Sequence, residues 1–98
     1  MRPTHLTTQL GESIAEHVTI GASLKVAAAH EGVSEDRAWA WQRKGRKAIA
    51  LVESDPGAAL DENQKLYADF AKSIARARAQ FEINILRRLD TLDACIQM

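Results

Sequence analysis

Cysteine is almost absent from this chain, since Cys95 is the single cysteine among 98 residues. One thiol cannot form a disulfide within the chain, which fits a reducing compartment. Apolar runs are also short, and none approaches the roughly 20 residues that a membrane-spanning helix needs. Residues 1–5 lack the apolar centre of a secretory signal peptide. We therefore expect a cytosolic protein with no membrane segment.

Residues that carry catalysis or bind metals are few and scattered. The three histidines are His5, His17 and His30, and no second cysteine or histidine lies at metal-ligand spacing from any of them. Cys95 has no neighbouring base in the sequence, so a catalytic thiol is not expected. No glycine-rich phosphate-binding loop is present. The sequence thus predicts a protein that is not an enzyme and that has no metal or cofactor.

The net charge is zero, but the charges are unevenly distributed along the chain. Residues 34–47 carry five basic and two acidic side chains, a net charge of +3. Residues 48–69 carry one basic and five acidic side chains, a net charge of −4. This segregation predicts one basic surface for a polyanion. The simpler interpretation is a solvated flank of a helix.

Two short helices with a glycine-containing turn between them are predicted near the N-terminus. A first helix is predicted over Thr8–Ile20, within an apolar stripe at four-residue spacing that starts just before it and consists of Leu6, Leu10, Ile14 and Val18. The second helix covers about Leu24–His30, and the third starts after Ser34, which caps it. Gly32 lies where the second helix ends and suits a left-handed turn. A pair of helices joined in this way is typical of a helix-turn-helix unit.

A single long helix is predicted for the C-terminal third, from Glu62 to about Cys95. Asp61 followed by Gln64 is a capping-box variant that starts it, after the break at residues 54–57. Its apolar residues follow steps of three or four and are Leu66, Phe70, Ile74, Ala77, Phe81, Ile85, Leu89, Leu92 and Ile96. The stretch from Phe81 to Ile96 has no predicted partner within the chain. We therefore expect it to pack on copies of itself.

The expected fold is all-α, a three-helix bundle with a helix-turn-helix followed by a long oligomerising helix. We divide it into a DNA-binding domain over residues 1–53, a linker over 54–61 and an oligomerisation segment over 62–98. The residues expected between copies are Phe70, Ile74, Phe81, Ile85, Leu89, Leu92 and Ile96.

The motifs of the chain resemble the small subunit of tailed-bacteriophage terminases, the DNA-recognition component of the packaging motor. The shared N-terminal motifs are Gly21-Ala22-Ser23, Ala27-Ala28, Gly32-Val33-Ser34, Trp39, Trp41 and Gly45. The shared C-terminal features are Tyr67, Phe70, Ala71, Ala75, Ala77 and Ala79. Arg37 stands where many members have threonine, and Ala38 where they have a larger aliphatic residue. The chain also ends at Met98, earlier than many members.

This resemblance implies a non-catalytic protein that assembles into a ring of identical subunits. It would select viral double-stranded DNA and regulate the ATPase and nuclease of the large terminase subunit. The location implied is the cytoplasm of the infected bacterial host.

The third predicted helix supplies the candidate DNA contacts, since residues of a recognition helix meet base edges and phosphates. The candidates are Arg37, Trp39, Ala40, Arg43, Lys44, Arg46 and Lys47. Trp41 and Ala38 are expected in the core. Glu35 and Asp36 would repel phosphates of like charge. Their role is either to stabilise the positive end of the helix dipole or to accept a hydrogen bond from a base.

Two other functions fit the same residues. One is a dimeric transcriptional regulator or transposase-like protein, with the long helix as a dimeric coiled coil. The other is a structural oligomer whose helix-turn-helix does not bind DNA, because Glu35 and Asp36 repel phosphates.

Overall fold

The computed structural model describes the backbone of residues 5–96 and the side chains of residues 5–89. Over these residues the chain forms helices α1 (Thr8–Thr19), α2 (Leu24–His30), α3 (Glu35–Ser54) and α4 (Glu62–Ile96), with no strand. The expectation of an all-α fold is confirmed, and the helices begin and end close to the positions predicted from the sequence. The side chains of Leu92 and Ile96 lie outside the described residues.

Side-chain caps explain where these helices start. The hydroxyls of Thr7, Ser23 and Ser34 each accept a hydrogen bond from the backbone N–H three residues later, at 3.1–3.2 Å. At the start of α4, the N–H of Gln64 donates to Asp61 Oδ1 at 2.7 Å, and the N–H of Asp61 donates to Gln64 Oε1 at 2.9 Å. This reciprocal pair is the predicted capping box. Each cap satisfies a backbone donor that has no partner within its helix.

The turn between α2 and α3 depends on Gly32, whose φ is +79°. Glycine adopts this left-handed conformation without the steric cost that a Cβ atom imposes. The next residue, Val33, is buried, and its N–H donates to the carbonyl of Ala28 at 2.8 Å. The turn therefore closes the end of α2 and inserts an apolar side chain beneath it.

The core joins α1, α2 and α3 to the N-terminal half of α4. Ile14 of α1 and Ile74 of α4 are fully buried. Trp41 of α3 packs edge-to-face on Phe70 of α4, with ring centroids 6.0 Å apart. The predicted core position of Trp41 is confirmed by its exposure of 4%. The core therefore includes residues on both sides of residue 62, although the sequence suggested that residues 62–98 form a separate oligomerisation segment.

The remainder of α4 continues past this core. The helix contains 35 residues, so it is about 50 Å long. Among the described residues, its charged side chains leave no stretch apolar enough for a transmembrane helix, and the other helices have none either.

A close crossing of α3 and α4 at Gly45 joins the three N-terminal helices to α4. The helix α3 runs through Gly45 without interruption. A Cβ atom at this position would collide with the carbonyl oxygen of Tyr67 and would lie 2.8 Å from the Cβ of Ala71. Only glycine fits here, because the main obstacle is backbone that a rotamer change cannot move.

We expect Gly45→Ala to lower the free energy of unfolding by about 1–3 kcal/mol, the usual cost of overpacking a core. Helix propensity alone favours alanine over glycine by about 1 kcal/mol, so the sign of the effect separates the two causes. The measurement is thermal unfolding followed by circular dichroism. Gly57→Ala is the matched control, because the nearest atom to its new Cβ is Asp55 Oδ1 at 3.6 Å. A higher melting temperature for Gly45→Ala would contradict the close crossing.

The two tryptophans offer a second matched pair, since Trp41 is 4% exposed and Trp39 is 38% exposed. Trp41→Ala should cost about 3–5 kcal/mol, the range for truncating a buried aromatic residue. Trp39→Ala should cost about 1 kcal/mol or less, as for a surface position. Urea unfolding of both variants measures the difference. Equal losses would show that Trp41 is not the core residue that anchors α3 on α4.

Candidate nucleic-acid interface

One side of α3 presents an aromatic residue and three cations to solvent. Trp39, Arg43, Arg46 and Lys47 are all exposed and recur at steps of three and four residues, which places them on one face of the helix. We call these four residues the basic face. The opposite side of α3, which includes Trp41, is buried against α4. The packing of α3 therefore determines which side faces solvent.

The other three predicted DNA contacts are placed differently. Arg37 and Ala40 are half-buried. Lys44 is exposed, but its Nζ lies 5.1 Å from the ring centroid of Tyr67. A cation over an aromatic face is attracted by the ring, so this contact draws Lys44 towards α4. Four of the seven predicted residues thus form the basic face.

Two carboxylates precede the basic face in the first turn of α3. Glu35 and Asp36 are both exposed, next to the cap formed by Ser34. Glu35 Oε2 lies 4.0 Å from Lys25 Nζ of α2, and the side chains of Lys25 and Glu35 are 69% and 46% exposed. A pair of this kind contributes at most about 1 kcal/mol. Both carboxylates interact favourably with the positive, N-terminal end of the α3 dipole. Glu35 has a further structural role through its ion pair with Lys25.

Acidic side chains follow the basic face along the chain. Glu53 and Asp55 are exposed at the end of α3, and Asp61 and Glu62 are exposed at the start of α4. The loop between them is compact at its start, because Asp55 Oδ1 accepts a hydrogen bond from the N–H of Gly57 at 3.2 Å. A polyanion would be repelled at this end of α3 and attracted to the middle of the helix.

The structure corrects the expected position of three residues on α4. Phe70 and Ile74, expected between copies of the chain, are buried in its own core at exposures of 3% and 0%. Phe81, expected to have no partner within the chain, is half-buried, and its Cε2 would lie 2.9 Å from a Cβ at Gly21. Phe81 therefore covers the turn between α1 and α2. Because α1 ends at Thr19, the aromatic ring of Phe81 can lie against Gly21 in the turn that follows.

Beyond Phe81, apolar side chains are exposed on α4. Ile85, Leu86 and Leu89 are 39%, 59% and 51% exposed. We call these three residues the apolar strip. Ile85 and Leu89 continue the predicted seam in steps of four, whereas Leu86 lies beside that seam and sequence spacing alone did not select it. Three large aliphatic side chains on one protruding helix are suited to a protein contact.

In comparisons with known proteins, the chain matches no protein-family model, no curated protein and no solved structure. Among the described residues, the basic face of α3 and the apolar strip of α4 are the exposed surfaces that bear most directly on function.

Proposed function

We propose that this chain is a non-catalytic DNA-binding subunit that assembles with identical copies into a ring, as a small terminase subunit does. The observation that supports this most is the basic face. Trp39, Arg43, Arg46 and Lys47 are exposed together on the helix that follows the Gly32 turn. In a helix-turn-helix protein this helix enters the major groove.

The dimensions and charge of α3 suit a DNA groove. A helix with its side chains is about 10–12 Å wide, and the major groove is about 12 Å wide. Arg43, Arg46 and Lys47 would contact phosphates, which position the protein without specifying a sequence. Trp39, one turn nearer the start of α3, would pack against sugar or base edges.

A single copy would bind weakly, because the whole chain has no net charge. Glu35 and Asp36 would also approach phosphates of like charge. Several linked copies overcome this weakness, since each further contact with the same DNA becomes intramolecular. Assembly is therefore part of the proposed function.

The apolar strip supports self-association. Ile85, Leu86 and Leu89 lie beyond the core on a helix that already carries apolar residues at near-heptad spacing. In a ring, each copy would offer the strip to a different surface of its neighbour, because ring contacts are heterologous. The ring would then present its basic faces to double-stranded viral DNA and regulate the large terminase subunit in the cytoplasm of the infected bacterium.

The second candidate is a dimeric regulator or transposase-like protein. It is favoured by the location of the strip on one protruding helix, where two copies can pair as a coiled coil. A dimer would read two half-sites about 34–36 Å apart, one turn of DNA. The number of copies in solution separates the two candidates.

Replacing Arg43 and Lys47 by alanine should weaken binding to all duplex sequences alike. If both contact phosphates, the slope of log K against log salt should become shallower by about 1.8, or 0.9 per phosphate. Fluorescence anisotropy over a salt series measures the slope. Lys72→Ala with Arg78→Ala is the control, because it removes the same charge from exposed positions of α4. Equal losses in both double variants would refute a specific role of the basic face.

Replacing Ile85 and Leu89 by glutamate should reduce the assembly to smaller species without unfolding the chain. Both side chains are exposed in the single chain, whereas burial of the new charges between copies would be strongly unfavourable. Size-exclusion chromatography with light scattering gives the mass, and circular dichroism checks the fold. Val52→Glu is the control, because Val52 is comparably exposed on α3. An unchanged mass for the double variant would refute the strip as the contact between copies.

A further inference from the structure

Three side chains with metal-binding atoms meet beside the turn that leads into α3. His17 lies on α1, His30 is the last residue of α2, and Glu31 caps the end of α2. His17 Nε2 is 3.1 Å from Glu31 Oε1, and His30 Nδ1 is 3.8 Å from the same oxygen. One potential ligand atom from each of the three residues lies within 4.8 Å of the other two. The fold thus brings His17 of α1 next to two consecutive residues at the end of α2.

We propose that His17, His30 and Glu31 bind one divalent transition-metal ion of the Zn²⁺ class. Two imidazoles and one carboxylate form a donor set that suits Zn²⁺, whereas Mg²⁺ and Ca²⁺ prefer oxygen ligands alone. Water would occupy the fourth position, on the solvent side of the cluster. This proposal is independent of DNA binding and of assembly.

The distances from Glu31 Oε1 to the two histidine nitrogens suit a tetrahedral ion. Bonds of 2.0–2.2 Å in a tetrahedron place neighbouring donors about 3.4 Å apart. The observed separations of 3.1 and 3.8 Å lie on either side of that value. The remaining adjustment is a rotation of His30, whose side chain is 70% exposed and has room to move.

The fold already positions two of the three side chains, those of His17 and Glu31. His17 and Glu31 are half-buried, and each side chain is 27% exposed. The N–H of Glu31 donates to the carbonyl of Ala28 at 3.0 Å, which fixes the end of α2. The hydrogen bond between His17 and Glu31 accounts for the positions of these two side chains but not for that of His30. The ring of His30 nevertheless lies 4.4 Å from that of His17, centroid to centroid, and a shared ion uses both rings.

A bound ion would connect α1 to the end of α2. Glu31 immediately precedes Gly32, the residue whose left-handed conformation redirects the chain towards α3. The ion would therefore restrain the turn that positions the basic face. Because metal binds the folded chain, it should also raise the melting temperature in proportion to the logarithm of its concentration.

The test uses full-length, tag-free protein from which metal has been stripped with a chelator. Isothermal titration with ZnCl₂ measures the stoichiometry and affinity, and Co²⁺ absorption reports whether the coordination is tetrahedral. We expect one ion per chain. Removing a residue that only hydrogen-bonds to a metal ligand typically lowers metal affinity 10–100-fold. Because His17 and His30 would bind the ion directly, His17→Gln and His30→Gln should each lower the affinity roughly tenfold or more. His5→Gln is the control, because His5 is exposed and lies outside the cluster.

His30→Gln keeps the test decisive if His17→Gln disturbs packing, because the side chain of His30 is mostly exposed. Circular dichroism without metal should show that His30→Gln folds like the unaltered protein. Zn²⁺ should then raise the melting temperature of the unaltered protein and of His5→Gln, but not that of His30→Gln. The absence of saturable Zn²⁺ binding, or undiminished binding by His30→Gln, would overturn the proposal.

Discussion

The close contact between α3 and α4 at Gly45 is the constraint on which the rest of the structure depends. The backbone of Tyr67 occupies the space that any side chain at position 45 would need. Because the helices approach this closely, Trp41 reaches Phe70 and the core becomes continuous from α1 to α4. The same contact turns Trp39 and Arg43 outwards. One glycine therefore links the stability of the bundle to the surface that we propose for DNA.

The two halves of α4 have different roles because their neighbours end at different points. The half that contains Phe70 and Ile74 is covered by α1 and α3, so its apolar residues stabilise the single chain. Phe81 lies over the turn at Gly21, where α1 ends. Past this point Ile85 and Leu89 have the same spacing but are exposed. A continuous apolar seam thus serves as core along one part and as an exposed surface along the other.

The junction of α1, α2 and α3 brings together the turn and a cluster of ionisable side chains. Gly32 and Val33 set the direction of α3, while Glu31 holds His17 across the junction. An ion shared by this cluster would stiffen the turn without touching the basic face. The residues that we propose for DNA binding, for assembly and for metal binding do not overlap, so each set can be substituted separately.

The sequence by itself determined the local features of this protein. Helix limits followed from Ser23, Ser34 and the pair Asp61–Gln64, because capping depends on residues three positions apart. The burial of Trp41 also followed from helical periodicity. Tertiary structure alone decided which parts of the α4 seam are covered, since that depends on where α1 and α3 end against it. It also brought His17 to His30 and Glu31, since the separation of residues on different helices depends on packing and not on spacing along the chain.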